Sequence, residues 1–327
     1  MFRKKHSLIK GTLILTSAGL VSRVLGFFFR IFLSHTFGEE QVGLYQLIFP
    51  FYALCLSLST SGLETAISRS VSRFHSLGRT QDGKLIFKTG LILSVLISLI
   101  CTFLVQKNSV FLSNRFLGDP RCATLLHLIV LALPAASVHS CICGYHYGLQ
   151  RTSVPAISQL LEQFVRISSV FVLYFIFLHS GVHPEIPLAV SGIIFGELAA
   201  AGYSLFSLKK KGFDADSPYI LSISKSCSEL LRLSVPLTVN RTAITFLQGI
   251  EAASIPVCLE LASHSASEAL SIYGVLTGMA LPCILFPCAL TISVSLLLIP
   301  AVAQKQAESS SKETILLIKK AAIAGRL

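Results

Sequence analysis

Charged side chains are scarce in this sequence, and their scarcity excludes an ordinary soluble domain. Asp, Glu, Lys and Arg make up 13% of the 327 residues, whereas a soluble domain carries about 25%. Hydrophobic residues make up 53% of the chain, and the mean hydropathy is +0.72. Apolar runs of about 20 residues, enough for a helix to cross about 30 Å of hydrocarbon, recur along the whole length. The composition therefore predicts a polytopic membrane protein.

The sequence also lacks the spacings typical of a metal, redox or nucleic-acid site. Its nine cysteines lie mostly within apolar runs, and no pair has the CxxC spacing that suits zinc or redox chemistry. The net charge is +11, but the basic residues are distributed between apolar segments and do not form one stripe. We therefore expect no metal, no cofactor and no nucleic-acid partner.

The apolar runs predict an all-α fold, a polytopic bundle of transmembrane helices. Eight spans are expected, and their bounds are 8–33, 41–67, 85–106, 123–148, 154–178, 185–208, 230–257 and 269–303. A ninth apolar run begins near Ala321 and reaches only Leu327, far short of a membrane crossing. The expectation is that the sequence is truncated within a longer bundle.

The basic residues between the spans predict the orientation. With a cytoplasmic N-terminus, eighteen Lys and Arg residues fall in cytoplasmic segments and three in one opposite loop, Lys107, Arg115 and Arg121. Cytoplasmic loops carry an excess of Lys and Arg. We therefore expect a multi-pass protein of the cytoplasmic membrane with its N-terminus inside the cell.

A weak internal repeat relates two helix pairs six spans apart. Arg23 precedes a span that opens with Gly43-Leu44-Tyr45, and Arg241 precedes one that opens with Ser271-Ile272-Tyr273. Because six is even, both pairs enter from the same side, as in parallel repeats. The predicted division is an N-lobe of six helices at 1–211 and, at 212–327, the first two to three helices of a second lobe.

Ionisable residues inside the spans are the strongest functional signal, because a charge at mid-membrane costs about 2.5–3.5 kcal/mol on insertion scales. Such residues normally face a bundle interior or a watery cavity. Eight residues qualify: Arg23, Arg30, Glu64, Glu162, Arg166, Glu197, Arg241 and Glu251. Of these, Glu162 and Arg166 are four residues apart on one helix and are interpreted as an ion pair whose charges neutralise each other.

The arginines of the first span are the candidate substrate site. Arg23 and Arg30 are two helical turns apart and lie on one face, and Arg241 is expected opposite them. A cationic cavity of this kind suits a diphosphate, because guanidinium binds phosphate oxygens bidentately. The open alternative is that these arginines pair with Glu64 or Glu251 across the bundle.

Two further patterns concern packing and ion coupling. The carboxylates of Glu64, Glu197 and Glu251 are candidates to carry H⁺ or Na⁺. GxxxG spacings predict close helix contacts at Gly144/Gly148, Gly192/Gly196 and Gly274/Gly278. Prolines within the spans predict kinked helices around a cavity, and they are Pro50, Pro134, Pro236, Pro256, Pro282 and Pro287.

Several motifs together resemble the stage V sporulation protein B family. They are Lys10-Gly-Thr-Leu-Ile-Leu, Ser22-Arg23-Val24-Leu25-Gly26-Phe27, Phe37-Gly38-Glu39-Glu40, Val42-Gly43-Leu44-Tyr45 and the segment from Tyr273 to Pro282. That family belongs to the multidrug, oligosaccharidyl-lipid and polysaccharide exporter superfamily, in which the lipid II flippases are relatives. The resemblance covers essentially the whole chain.

The resemblance implies a two-lobed flippase that works by alternating access, which is a transporter and not an enzyme. It implies export of an undecaprenyl-pyrophosphate-linked peptidoglycan or polysaccharide precursor, for spore cortex or cell wall, with membrane lipid as a further partner. It also implies that Arg23, Arg30 and Arg241 line the central cavity and that Glu251 stands where the family has an acid. One departure is Arg30-Ile31, where lipid II flippases of the better-known branch have an Arg-Asp pair.

Two other interpretations remain open from the sequence. A cation-coupled multidrug exporter of the same superfamily would need an acidic, aromatic cavity, which three arginines disfavour. A non-functional remnant or membrane scaffold is favoured by the incomplete ninth span.

Overall fold

The computed structural model describes residues 2–210, 221–262 and 264–286. Within these ranges, eight helices are long and apolar enough to cross a membrane. They are α1 (Phe2–Phe37), α2 (Glu39–Ser76), α3 (Thr80–Leu117), α4 (Cys122–Gly148), α5 (Ser153–His179), α6 (Pro187–Lys210), α7 (Ile223–Leu261) and α8 (Ala266–Phe286).

The predicted spans are confirmed as eight helices, most of them longer than predicted. The extra turns are polar, such as 68–76 at the end of α2 and 223–229 at the start of α7, and hydropathy alone does not detect helix that extends beyond the hydrocarbon. The last part of the eighth predicted span and the ninth apolar run lie outside the described residues.

Local sequence explains where the helices begin and turn. Gly38 has φ +80°, a conformation that favours glycine, and it separates α1 from the acidic first turn of α2. At α8, Ser265 Oγ accepts from the Glu268 amide, and Glu268 Oε2 accepts from the Ser265 amide at 3.0 Å. This reciprocal pair is a capping box.

Helix α2 is central, and α3, α4, α7 and α8 all pack along it, while α1 packs on α5 and α5 on α6. Two apolar clusters fill the interior. The Leu126 cluster includes Leu33, Ile48, Leu126, Ile129 and Ile193. The Phe87 cluster includes Ile67, Phe74, Phe87, Ile142 and Leu230. Large side chains on the outside, such as Phe103 and Phe164, are 65% exposed, as expected where a helix faces lipid.

A polar layer separates the two clusters. In α4 the Leu126 cluster ends at Leu133 and the Phe87 cluster begins at Cys141. In α2 the layer contains a π-helical segment, Ser57–Ser61, whose Ser59 carbonyl accepts from Ser94 Oγ at 2.6 Å. Side chains thus satisfy backbone groups that an irregular turn frees, as a membrane interior requires.

The three GxxxG pairs lie at close helix contacts, as predicted. A Cβ atom at Gly144 would lie 2.7 Å from the Glu64 carbonyl oxygen of α2, and one at Gly196 would lie 2.9 Å from the Glu162 carbonyl oxygen of α5. Gly274 is in equally close contact with Glu39 and Gly43 of α2. Because these glycines lack a side chain, α4 and α8 approach α2 closely, and α6 approaches α5 closely.

Candidate functional site

A cleft of about 580 Å³ lies between α1, α2 and α8. Arg23 and Arg30 both line it from α1, where their spacing of two turns places them on one face. The polar groups opposite are Gln46 of α2 and Thr277 of α8. The structure thus brings two of the three predicted arginines to the same cavity.

The shape of α8 positions Thr277. This residue lies in a π-helical segment, Val275–Ala280, which ends two residues before Pro282. Proline lacks an amide hydrogen and its ring crowds the preceding turn, and π-helical turns often mark functional sites. The Thr277 hydroxyl donates to the Tyr273 carbonyl at 2.7 Å, so its side chain is held against its own helix.

The remaining walls of the cleft are apolar. They come from Gly26 and Phe27 of α1 and from Leu281, Pro282, Leu285 and Phe286 of α8. The rings of Phe27 and Phe286 stack with centroids 4.4 Å apart. Among the lining residues that the structure describes, none is acidic. The cleft therefore combines cationic and neutral polar groups with an apolar wall, an arrangement suited to an anionic amphiphile.

Arg241 lies apart from these two arginines. It is exposed on α7 and is not among the described residues that line the cleft. Glu64, the cross-bundle partner that the sequence left as an alternative, lies on α2, against which α7 packs. Glu251 is also exposed on α7.

A second group of ionisable residues lies in and beside the polar layer between α4, α5 and α6. One ring nitrogen of His139 and one carboxylate oxygen each of Glu162 and Glu197 all lie within 4.8 Å of one another. Arg166 pairs with Glu162, as the spacing of four predicted. His139 Nδ1 is 3.6 Å from Glu197 Oε2. Glu197, a candidate for ion coupling, therefore belongs to a buried network.

Sequence reasoning missed three of these groups. His139 is an ionisable residue within a span and met the same criterion as the eight that were selected. Gln46 and Thr277 are neutral, and only the packing of α2 and α8 on α1 places them beside the arginines. No signal in a single sequence distinguishes them from other polar residues in spans.

Comparisons with known proteins agree with this architecture. A model of the family described as "Polysaccharide biosynthesis protein" matches residues 8–306. Stage V sporulation protein B of Bacillus subtilis (strain 168) is 33% identical over 304 residues, which are 92% of this chain and 59% of that protein. The lipid II flippase MurJ of the same organism is 26% identical over 317 residues, 91% of this chain and 58% of that protein.

Solved structures show the same fold at low sequence identity. The crystal structure of MATE in the straight conformation has a TM-score of 0.64 and 11% identity, and the match covers 98% of this chain and 69% of that one. A MOP superfamily transporter from Pyrococcus furiosus has a TM-score of 0.61 and 13% identity, with coverage of 97% and 67%. The all-α bundle is therefore that of these transporters, whereas the chain spans under two thirds of the two curated relatives.

Proposed function

The chain belongs to the polysaccharide biosynthesis protein family, and we propose that it forms the substrate-binding part of a flippase. The proposed cargo is an undecaprenyl-pyrophosphate-linked peptidoglycan or polysaccharide precursor, exported across the cytoplasmic membrane for spore cortex or cell-wall synthesis. Transport by this route involves no covalent step. The names of two relatives, a stage V sporulation protein and a lipid II flippase, support the proposal.

The observation that carries the proposal is the cleft that contains Arg23 and Arg30. Two guanidinium groups offer planar, always charged donors to the oxygens of a diphosphate. Gln46 adds a neutral side-chain amide that can donate to phosphate oxygens, and the apolar wall from Phe27 to Phe286 suits the lipid end of the ligand. A cationic drug, the cargo of the competing multidrug exporter, would meet two like charges here.

The orientation and the lobes are part of the same proposal. An N-terminus in the cytoplasm follows from eighteen basic residues on one side against three on the other. We propose that 1–211 form one lobe, that 212–327 begin a second, and that the two rock to alternate access. Arg241 is a proposed third phosphate ligand that joins Arg23 and Arg30 when α7 moves relative to α1.

The coupling ion is proposed to be H⁺ or Na⁺, carried by Glu64, Glu197 or Glu251. Glu197 is buried, Glu64 is half-buried beside α4, and Glu251 is exposed on α7. A carboxylate that is buried away from bulk solvent is unfavourable as a lone charge, and binding a cation compensates that charge. Glu197 and Glu64 therefore rank ahead of Glu251.

Equilibrium binding tests the proposed function. The chain is incorporated in lipid nanodiscs and titrated with undecaprenyl pyrophosphate. Hydrogen bonds to charged groups are worth about 1.5–3 kcal/mol, so Arg23→Ala and Arg30→Ala should each weaken binding about tenfold or more. Arg69→Ala, which removes an exposed arginine of α2 away from the cleft, is the matched control.

The proposal fails if both cleft variants bind as tightly as the wild type, or if Arg69→Ala weakens binding equally. Preferential binding of a cationic drug such as ethidium over the lipid pyrophosphate would favour the multidrug exporter.

A further inference from the structure

We propose that His139 and Glu197 form a binding site for one proton, and that this proton is the coupling ion. The site lies in the interior between α4 and α6, away from the cleft that contains Arg23 and Arg30. Binding of the proton is independent of the proposed function, whereas its coupling to lipid binding rests on that function.

The hydrogen bonds of Ser158 fix the state of the His139 ring. Ser158 Oγ donates its single proton to the Pro155 carbonyl at 2.9 Å. It lies 3.0 Å from His139 Nε2 and must therefore accept from that nitrogen. The tautomer follows from this network: Nε2 carries a hydrogen, and Nδ1 is the nitrogen that faces Glu197.

The contact between Nδ1 and Glu197 calls for a further proton. The 3.6 Å between Nδ1 and Oε2 would otherwise place a ring lone pair against a carboxylate lone pair. Glu197 is 8% exposed, and within the described part of the chain its Oε2 atom is buried without a hydrogen-bond partner. A proton on either group turns this repulsive contact into an attractive one.

The charged groups around the site leave one negative charge uncompensated. Arg166 of α5 pairs with Glu162. Glu64 of α2 packs instead against Gly144 of α4. Arg166 thus balances one of the two carboxylates of the group, Glu162 and Glu197, and Glu197 is the one left over. An uncompensated buried charge is strongly unfavourable, so the site requires a single positive charge.

Two other titratable side chains lie near the site. Tyr52 of α2 is buried, and its hydroxyl has no hydrogen-bond partner among the described residues. Cys143 of α4 lies 3.7 Å from the Ser158 hydroxyl. Neither a phenol nor a thiol can carry the positive charge that would compensate Glu197.

The chemistry of the donors selects a proton over a metal ion. A divalent ion would bring two positive charges where one is required, and it would compete with Arg166 for Glu162. Sodium prefers a shell of oxygen ligands, whereas imidazole nitrogen suits transition metals and protons near neutral pH.

A link between this site and the cleft runs through α2. Tyr45 is buried in the interior of the bundle, and its neighbour Gln46 lines the cleft. Successive residues of α2 thus face the interior and the cleft, and α2 is the path by which we expect a change of charge at one site to affect the other.

The charge of the His139 ring tests the proton directly. The whole chain, labelled with ¹⁵N-histidine, is placed in nanodiscs at pH 7, and His139→Gln identifies the resonances. We expect a proton at both the Nε2 and Nδ1 positions, or one shared with Glu197, in the wild type. In Glu197→Gln only Nε2 should remain protonated. Glu185→Gln, which alters an exposed loop carboxylate, should leave the ring unchanged.

Two results overturn the proton site. One is a wild-type ring whose Nδ1 is unprotonated and unaffected by Glu197→Gln. The other is loss of the shared proton when Na⁺ replaces K⁺ at constant pH, which would make sodium the ion.

Coupling is tested by the binding of undecaprenyl pyrophosphate at pH 6 and pH 10. Coupling free energies of about 1–3 kcal/mol correspond to about fivefold or more, so the ratio of the two Kd values should change by at least about fivefold in His139→Gln relative to the wild type. The ligand's own titration is common to both proteins and cancels. An unchanged ratio overturns coupling, and absence of lipid binding at either pH contradicts the proposed function while the NMR result stands.

Discussion

Replacing Gly196 with alanine tests whether the contact between α5 and α6 holds the buried network in place. A Cβ atom there would lie 2.9 Å from the Glu162 carbonyl oxygen and 3.2 Å from Arg166 Cβ, where ordinary contact begins at 3.4 Å. The obstruction at 2.9 Å is backbone, which cannot rotate away. The two helices must therefore separate by several tenths of an ångström.

The magnitude follows from two opposing effects. Overpacking of a well-packed interior costs about 1–3 kcal/mol, while alanine in place of glycine favours the helix by about 0.8–1 kcal/mol. Gly202→Ala, about one and two-thirds turns along the same helix, gains the favourable helix propensity without the clash, because no atom lies within 4 Å of a Cβ there. The difference between the two variants is therefore the packing cost alone, about 1–3 kcal/mol.

Thermal unfolding in one detergent measures this difference. We expect Gly196→Ala to have a Tm several degrees below that of Gly202→Ala, and Gly202→Ala to equal or exceed the wild type. Equal Tm values for the two variants would refute the close approach of α5 and α6.

Three further predictions concern topology, the end of the bundle and a cap. An impermeant maleimide applied to intact cells should label Ser180→Cys and leave Ser76→Cys unlabelled, because the two exposed loops lie on opposite sides; the reverse pattern would invert the orientation. The Arg73 to Glu229 salt bridge, 2.9 Å long and partly exposed, should show a coupling of at most about 1 kcal/mol in a double-mutant cycle, and a larger value would mean that it clamps α2 to α7. Ser265→Ala removes a capping box and should lower stability by about 1 kcal/mol, with no loss expected if α8 begins elsewhere.

The sequence predicted the fold well because membrane insertion imposes a strong and local requirement. Each span needs its own apolar length, so eight helices can be recognised without knowledge of their neighbours. The π-helical turns at Ser57–Ser61 and Val275–Ala280 were not predicted, because the carbonyls that such turns free are satisfied by side chains of the same or other helices.

The candidate site was only partly predictable for a related reason. The spacing of Arg23 and Arg30 is set within one helix, and the structure places both in one cleft. The position of Arg241 depends on how α7 packs against α2, and no local pattern determines that packing. His139 and Glu197 meet only because α4 and α6 pack together, although each was visible as an ionisable residue within a span.

The measurement that tests the central claim most directly is photo-crosslinking of undecaprenyl pyrophosphate to the cleft. The photoreactive phenylalanine analogue p-benzoylphenylalanine replaces Phe27, which lines the cleft, or its neighbour Phe28, which is 62% exposed on the outside of α1. We predict a saturable crosslink at position 27 that unlabelled undecaprenyl pyrophosphate displaces and that Arg30→Ala weakens, with only non-saturable labelling at position 28. Equal, non-displaceable labelling at the two positions would contradict a lipid-pyrophosphate site in this cleft.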